Sequence, residues 1–406
     1  MPEKYIKMLI CTVSLFAVFS IYIHSLIPDR FYCVGGEEIS VRSLPMVTFV
    51  QKGADPSRAV SAGGTSLQYT AKLFGVMPLK TVNVSKTAVR KIAVAGTPFG
   101  VKMFSDGVMV VGFSDIETEY GYICPAKVSG LKMGDIITAL DGKRVQSIDD
   151  VENFLLKNGT KPVSVAFLRD NLELQLNIIP VKEQGSGVVR TGMWVRDSSA
   201  GVGTMTFYDM QKGMFAGLGH GIKDTDTQKD IRLLSGEIVP VKIMGVTKSR
   251  NGEAGELKGT FTSSFPMGRI LANSTNGVYG TVFTIPDDNI MEIAQPQEIQ
   301  TGPAQIITTI SGTTPKSYDV VIEKIALNGT NSNKNMIIRI TDPELLKVTG
   351  GIVQGMSGSP VVQNGKLVGA ITHVFVNQVE RGYAVFATNM LESMDNAEKV
   401  HLNKAG

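Results

Sequence analysis

Cysteine is almost missing. The chain of 406 residues holds three, Cys11, Cys33 and Cys124. That odd, scattered set supplies neither a disulfide framework nor the paired spacing of a metal site, and no other pattern asks for a cofactor. An excess of one charge is missing as well. The formal net charge is only +3, and no basic stripe with interleaved aromatics occurs, which argues against a nucleic-acid partner. Long helical patterns are few. What is abundant is glycine, with 43 residues, beside 43% hydrophobic and 19% charged residues. That balance can build a packed core and points to many short strands joined by tight turns. The length suits two or three domains.

One long apolar run stands at the N-terminus. Lys4 and Lys7 precede Met8 to Ile27, a stretch without formal charge apart from His24. Such a run is long enough to cross a bilayer as a helix, and lysines before it favour a cytoplasmic N-terminus. The His-Ser-Leu-Ile-Pro-Asp-Arg that follows has no small-x-small cleavage site. Residues 1–30 therefore read as an uncleaved signal anchor and N-terminal transmembrane helix, with a cleaved signal peptide as the alternative. His24 reads as an interfacial passenger. Residues 31–90, punctuated by Pro45, Gly53, Pro56 and Gly63-Gly64, read as a linker with some strand content, a segment that is easily cut.

Residues 91–183 have a clearer form. Gly107-Val-Met-Val-Val-Gly112 has a buried-strand pattern, Asp141-Gly142 is a hairpin turn signal, and Ser147 caps an amphipathic helix through Leu156. The run PAKVSGLKMGDIITALDGKRV resembles the core of bacterial PDZ domains, which take up an extended peptide by strand addition. By that resemblance the peptide carboxylate would sit on backbone N–H groups at Pro98, Phe99, Gly100 and Val101.

Residues 187–406 hold about ten short β-like runs and few helices, which argues for a barrel or a sandwich. Between two of these runs lies Gly351-Ile-Val-Gln-Gly-Met-Ser-Gly-Ser-Pro360, two hydroxyls among glycines. A nucleophilic serine needs a base within hydrogen-bond reach. Of the four histidines, His24 is in the apolar run and His401 in a polar tail. His373 falls on an apolar strand face with Ile371 and Phe375, where a histidine is more often structural. His220, in Phe215-Ala-Gly-Leu-Gly-His-Gly221, is preferred because the glycines let the imidazole protrude. An orienting carboxylate could come from Asp224, Asp226, Asp319 or Asp342. Asp342 precedes Pro343-Glu-Leu-Leu-Lys347 and on composition alone reads as a helix N-cap.

The loop Gly355-Met-Ser-Gly-Ser-Pro360 resembles the nucleophile loop of chymotrypsin-like proteases, Gly-Asp-Ser-Gly-Gly-Pro. The alignment makes Ser357 the nucleophile, leaves Ser359 at a glycine position and puts Met356 in place of the acidic residue. The backbone N–H groups of Gly355 and Ser357 would then form an oxyanion hole. The signal anchor, PDZ-like module, AGLGH, TDPELL..TGGIVQGMSGSP, GAITHVFVN and GYAVF occur in an order that closely resembles the SpoIVB-type sporulation peptidases. That resemblance implies a mainly β fold with a chymotrypsin-like double β-barrel and a catalytic set of His220, Asp342 and Ser357. Were Asp342 structural, a His-Ser dyad would remain. It further implies secretion from a forespore and a membrane-embedded inhibitor complex as substrate, whose cleavage leads an intramembrane protease to activate a late sigma factor. Self-cleavage in the linker, controlled by the PDZ module, belongs to the same implication. Two other classes fit parts of the chain: a PDZ scaffold with an inactive protease domain, and an HtrA-like quality-control protease, in which the domain order is normally reversed.

Overall fold

The structure is a computed structural model that describes residues 3–34, 39–41, 44–52, 66–87, 89–231, 233–263, 265–328 and 332–405. The apolar N-terminal run forms helix α1, Glu3–Leu26. The expected transmembrane helix is corrected, however: among the described residues no helix is long and apolar enough to cross a membrane. The run is interrupted by Thr12, Ser14, Ser20 and His24. Its last turn is also drawn into protein, since Ile23 and Ile27 are buried in one core with Phe31, Leu73, Val82 and Val84.

That core belongs to a sheet where the sequence suggested a linker. Strands Arg30–Val34, Val47–Gln51, Ser66–Leu73 and Met77–Thr87 form four neighbours, with the first parallel to the last. Alternation in Leu79 to Val84 puts Val82 and Val84 inward, the period-2 signal of a half-buried strand. Gly53, Pro56 and Gly63-Gly64, the other features of the linker reading, lie outside the described residues.

Two long strands organise the rest. Pro98–Phe113 and Met193–Asp209 run antiparallel along almost their whole length, from Thr204↔Pro98 to Met193↔Phe113. At one end they belong to a β-barrel and at the other to the PDZ domain, so the PDZ domain is inserted in the peptidase fold instead of preceding it. The PDZ end packs Val108, Val110, Ile137, Val145, Val151, Val165 and Phe167 together. Its local signals match the sequence reading. Asp141 and Gly142 take positive φ in the turn between Ile136–Leu140 and Lys143–Arg144. The one-turn helix α2 (Pro125–Val128) precedes that turn and helix α3 (Ile148–Asn158) follows it, and Ser147 caps α3 in a reciprocal capping box with Asp150.

The proposed peptide-carboxylate loop is contradicted. Pro98 to Val101 are strand residues of the barrel end, and Phe99 and Val101 are buried against Phe215, Ile238 and Val278. Gly100 is glycine for packing, because a Cβ there would stand 2.5 Å from the Phe261 ring and 2.7 Å from Val239. Burying a phenylalanine such as Phe99 is worth about 2–3 kcal/mol to the barrel. No peptide can approach that backbone.

The peptidase strands close two six-stranded barrels. In the first, the N-terminal half of Pro98–Phe113 pairs with Met193–Asp209, which continues through Met214–Gly217, Gly277–Val282, Gly268–Ser274 and Leu233–Thr247 back to the start. In the second, Gly302–Thr308, Lys316–Ile325, Met336–Ile340, Gln378–Phe386, Lys366–Phe375 and Pro360–Gln363 close in the same way. Strand Leu233–Thr247 joins them, with Ile238 in one core and Val241 and Ile243 in the other. Helix α4 (Pro343–Thr349) sits on the second barrel, and the C-terminal helix α5 (Ala387–Ala405) covers the first with Met390 and Met394.

Candidate active site

His220 follows a strand of the first barrel and Ser357 precedes a strand of the second, so the barrel interface brings them together. Both line one cavity of roughly 830 Å³, with Gly355, His373, Lys223 and Lys334 also on its wall. That volume lies within the range of ordinary ligand sites.

The turn before His220 explains its glycines. Leu218 and Gly219 both adopt φ +67. A left-handed leucine costs on the order of 1–3 kcal/mol and persists only where its surroundings hold it. Here the Leu218 side chain is buried in the first barrel's core and its N–H donates to the Thr204 carbonyl at 3.3 Å. Gly358 of the serine loop lies directly on this turn. A Cβ on it would come within 2.0 Å of the Thr204 oxygen and 2.5 Å of the Leu218 nitrogen. The glycines of the two loops are thus one device: they let the histidine turn and the serine loop touch.

Three bonds from strand Met193–Asp209 grip the serine loop. The Thr204 hydroxyl donates to the Gly355 carbonyl at 2.7 Å, the Thr206 hydroxyl to the Gly358 carbonyl at 2.7 Å, and the Thr204 N–H to the Ser357 carbonyl at 3.0 Å. Both threonines are fully buried. Sequence reasoning missed them. The alternation Thr204-Met205-Thr206-Phe207 was readable as a strand, but not what its hydroxyls would meet.

Within the loop the amides of Met356, Gly358 and Ser359 donate to backbone carbonyls. Among the described residues, those of Gly355 and Ser357 have no such partner. They are the two donors that the sequence assigned to an oxyanion hole, and both residues face the cavity. The Ser357 hydroxyl donates to the Thr372 carbonyl at 2.8 Å, not to an imidazole. Ser359 is buried with its hydroxyl donating to that of Thr308 at 2.9 Å, which is a packing role.

His220 Nδ1 lies 2.8 Å from the Gly221 carbonyl. A carbonyl can only accept, so Nδ1 carries the proton and the Nε2 lone pair is left to act as base. Burial holds the imidazole's pKa below its ordinary value, the Gly221 carbonyl opposes that shift, and the Lys223 charge adds to it. The ring is therefore neutral at neutral pH.

Asp342 is not brought to this histidine. It caps α4: one carboxylate oxygen accepts from Leu345 N–H at 2.9 Å and the other from Asp319 N–H at 3.3 Å. It does not line the cavity. The chain turns into α4 directly after it, and the cap satisfies helix amides that would otherwise lack partners. The geometric task of fixing the His220 tautomer falls to the Gly221 carbonyl. Of the other acids considered, Asp319 is on strand Lys316–Ile325 beside Asp342, while Asp224 and Asp226 bind Arg196.

His373 departs from expectation in the other direction. Its ring centroid is 4.8 Å from that of His220, and it is exposed to the cavity instead of packed on an apolar face. The register of its strand against Gln378–Phe386 shifts between Ile371 and Val374, which breaks the period-2 alternation the sequence reading relied on. Although the ring has surface open to the cavity, the protein packed around it removes part of its hydration, and that loss, with His220, Lys334 and Lys223, pushes its pKa down to about 4.

A serine hydroxyl, a neutral imidazole and two unpaired amides in one cleft between two barrels define a serine peptidase. The description SpoIVB peptidase S55 matches residues 187–391, half of the chain, and PDZ domain matches residues 101–179. The chain belongs to the SpoIVB peptidase S55 family. No curated protein matches it. Among solved structures it is similar to the PDZ domain of an SdrC-like protein from Listeria monocytogenes, at 21% identity over 22% of this chain and 87% of that one, with a TM-score of 0.19. It is also similar to the HtrA-type protease AlgW with decapeptide, at 13% identity over 50% of this chain and 55% of that one, with a TM-score of 0.30.

Proposed function

We propose that the protein is an endopeptidase of sporulation signalling that works by a Ser357–His220 acyl transfer. It is secreted from the forespore into the intermembrane space, or attached there to a membrane surface through the exposed apolar side chains of α1 without crossing it. It cuts a membrane-embedded inhibitor complex, and that cut lets an intramembrane protease activate a late sigma factor. The observation that carries the catalytic part is the shared cleft of His220 and Ser357 with the free amides of Gly355 and Ser357. His220 Nε2 takes the Ser357 proton as Oγ attacks a peptide carbonyl, and the two amides receive the developing oxyanion. His220 then protonates the leaving amine, and water releases the acyl group. Membrane attachment is supported by the exposed Met8, Ile10, Val13, Leu15, Val18 and Ile21 of α1, a density of apolar surface that water does not favour. Family membership supports the sporulation role, and the PDZ domain supports capture of a peptide or chain terminus. Self-cleavage within residues 31–90 completes the reading.

The test is incubation of the purified full chain beside Ser357→Ala, read by intact mass, and then of each with the membrane complex that inhibits sigma-factor processing in a spore former. Fragments from the wild type alone, with cleavage of the complex, are expected. Identical masses in both samples would refute self-cleavage, and an uncut complex would refute the signalling role.

A further inference from the structure

The segment Gly221–Ile231 leaves His220 and crosses to the PDZ domain before returning to the first barrel. Its contacts on the PDZ side are specific. Lys229 Nζ binds the Asp170 carboxylate at 3.0 Å, in the turn between the PDZ strands Val163–Arg169 and Leu172–Ile178. The stem of the same lysine lies over Gly134, where a Cβ would be 2.7 Å from Lys229 Cε. The Thr227 hydroxyl donates to Met109 Sδ at 3.3 Å. Gly134 is itself held, because the next residue, Asp135, is fully buried on the Arg169 guanidinium. On the strand that serves both domains stands Arg196, opposite Met109. It donates to Asp224 at 2.6 Å and reaches Asp226 at 2.6 Å. Asp224 is buried, and its second oxygen accepts from the amides of Asp226 and Thr227 and from the Thr227 hydroxyl. Burial alone would raise its pKa, but those bonds and Arg196 outweigh it and keep the carboxyl ionised below its usual range.

We infer that the segment Gly221–Ile231 is a strut through which the PDZ domain sets the position of His220, with Asp224 on Arg196 and Lys229 on the Asp170–Gly134 surface as its two footings. Asp224 and Lys229 are positioning residues: they touch no reacting atom and act through the backbone that carries the base. A base needs its nitrogen placed to well under 1 Å, and misplacement by about that much can cost 100-fold. A displaced Asp170 turn would pull Lys229, and Lys229 lies nine residues after His220 on one short segment. The inference rests on His220 as the base of Ser357.

The test uses the full chain and a biotinylated fluorophosphonate. The probe reacts as Oγ bonds to phosphorus, fluoride leaves and the serine proton passes to His220. Its saturation separates the limiting rate from half-saturation, in the wild type and in Asp224→Asn, Lys229→Ala, Lys229→Arg and Asp170→Ala. Asparagine keeps one oxygen for the turn amides and puts an NH2 group in place of the oxygen that accepts from Arg196, so the charge and the acceptor that hold Arg196 are both lost. The limiting rate is expected to fall by about tenfold or more in Asp224→Asn and by about threefold in Lys229→Ala and Asp170→Ala, a span typical of coupling through a packed network. Half-saturation and melting temperature should stay near wild type, and Lys229→Arg should recover most of the loss. A wild type that is not labelled at Ser357 refutes the peptidase reading itself. With the wild type labelled, equal limiting rates in all variants overturn the strut. Losses that merely track a lower melting temperature, with no recovery in Lys229→Arg, also overturn it. If Asp224→Asn does not fold, the variants of half-buried Lys229 and exposed Asp170 decide.

Discussion

The two loops that meet in the cleft are held in opposite ways. The serine loop is gripped by its own fold: Gly358 is wedged on the Leu218 turn, Thr204 and Thr206 bind its carbonyls, and Met356 is buried in the second barrel. The histidine loop begins on the first barrel but leans on a different domain through Thr227 and Lys229. The nucleophile is thus held within the barrels, while the segment that follows the base also rests on the PDZ domain. The difference also predicts unequal responses to mutation.

The largest effect belongs to the nucleophile. Ser357→Ala should lower turnover on the order of 10⁶-fold, the scale of losing a serine nucleophile elsewhere. Melting should hardly change, since the hydroxyl's one bond is to the Thr372 carbonyl in a half-buried position. Ser359→Ala should do the reverse, with turnover nearly kept and stability reduced by about 1–2 kcal/mol through the Thr308 hydroxyl left unpaired. Dead Ser359→Ala beside active Ser357→Ala would show the register of the loop to be wrong.

Next comes the wedge. Gly358→Ala combines a φ of +93 with a Cβ 2.0 Å from a backbone oxygen. No flexible side chain can yield there, so the two barrels must separate locally. A stability loss of about 3 kcal/mol or more is expected in denaturant titration, among the larger single-residue effects. Gly355→Ala also has positive φ, but its nearest neighbour is the Leu257 side chain at 3.0 Å, which can shift. It should be milder in stability and harsher on turnover, because it perturbs an oxyanion donor. If the two mutants rank the other way in stability, the wedge is misassigned.

The serine loop was legible because its chemistry is local: two hydroxyls, glycines and a proline within ten residues, flanked by apolar runs. The capping box at Ser147 and the Asp141-Gly142 turn were legible for the same reason. What the sequence hid is long-range. Pro98 to Val101 look like a glycine-containing loop, and only pairing with strands Met193–Asp209 and Leu233–Thr247, far along the chain, makes them a barrel strand. The sheet in residues 30–87 was obscured by its prolines and glycines, although Val82 and Val84 carried the alternation. His373 was misread because a register shift, invisible in a string of residues, turns it into the cleft. Arg196 carried no signal at all, since its role depends on an acid 28 positions on.

The base should reveal itself through pH. His220 works only when neutral, so turnover should be lost as pH falls through its folded pKa, which burial places below the ordinary 6.5. The acid limb of kcat should therefore lie lower than for an exposed imidazole. Lys223→Ala removes a cation that depresses both imidazoles. It should move that limb upward by less than about one pH unit. Stability follows the same sign. The unfolded chain takes up protons from about pH 6.5 downward, while folded His373 resists until about 4, so stability should decline as pH falls across that window. A limb above 6.5, or one unmoved by Lys223→Ala, would place the base elsewhere.

The smallest effect separates the structural and catalytic readings of Asp342. As a cap, its carboxylate serves Leu345 and Asp319 amides. Asp342→Asn retains one oxygen for the Leu345 amide, which is the capping bond, and loses only the longer 3.3 Å bond from the exposed Asp319 amide, so its melting temperature should fall little. Asp342→Ala removes both and should cost about 1 kcal/mol. Thermal melting of the pair measures this directly. Turnover of the same proteins then sharpens the contrast between the loops. With the Gly221 carbonyl orienting His220, Asp342→Asn should lose no more activity than its stability explains. A large loss of turnover in Asp342→Asn at an unchanged melting temperature would return the carboxylate to the catalytic set. It would also mean that the histidine loop moves toward the second barrel during catalysis, which the strut from the PDZ domain would then have to permit.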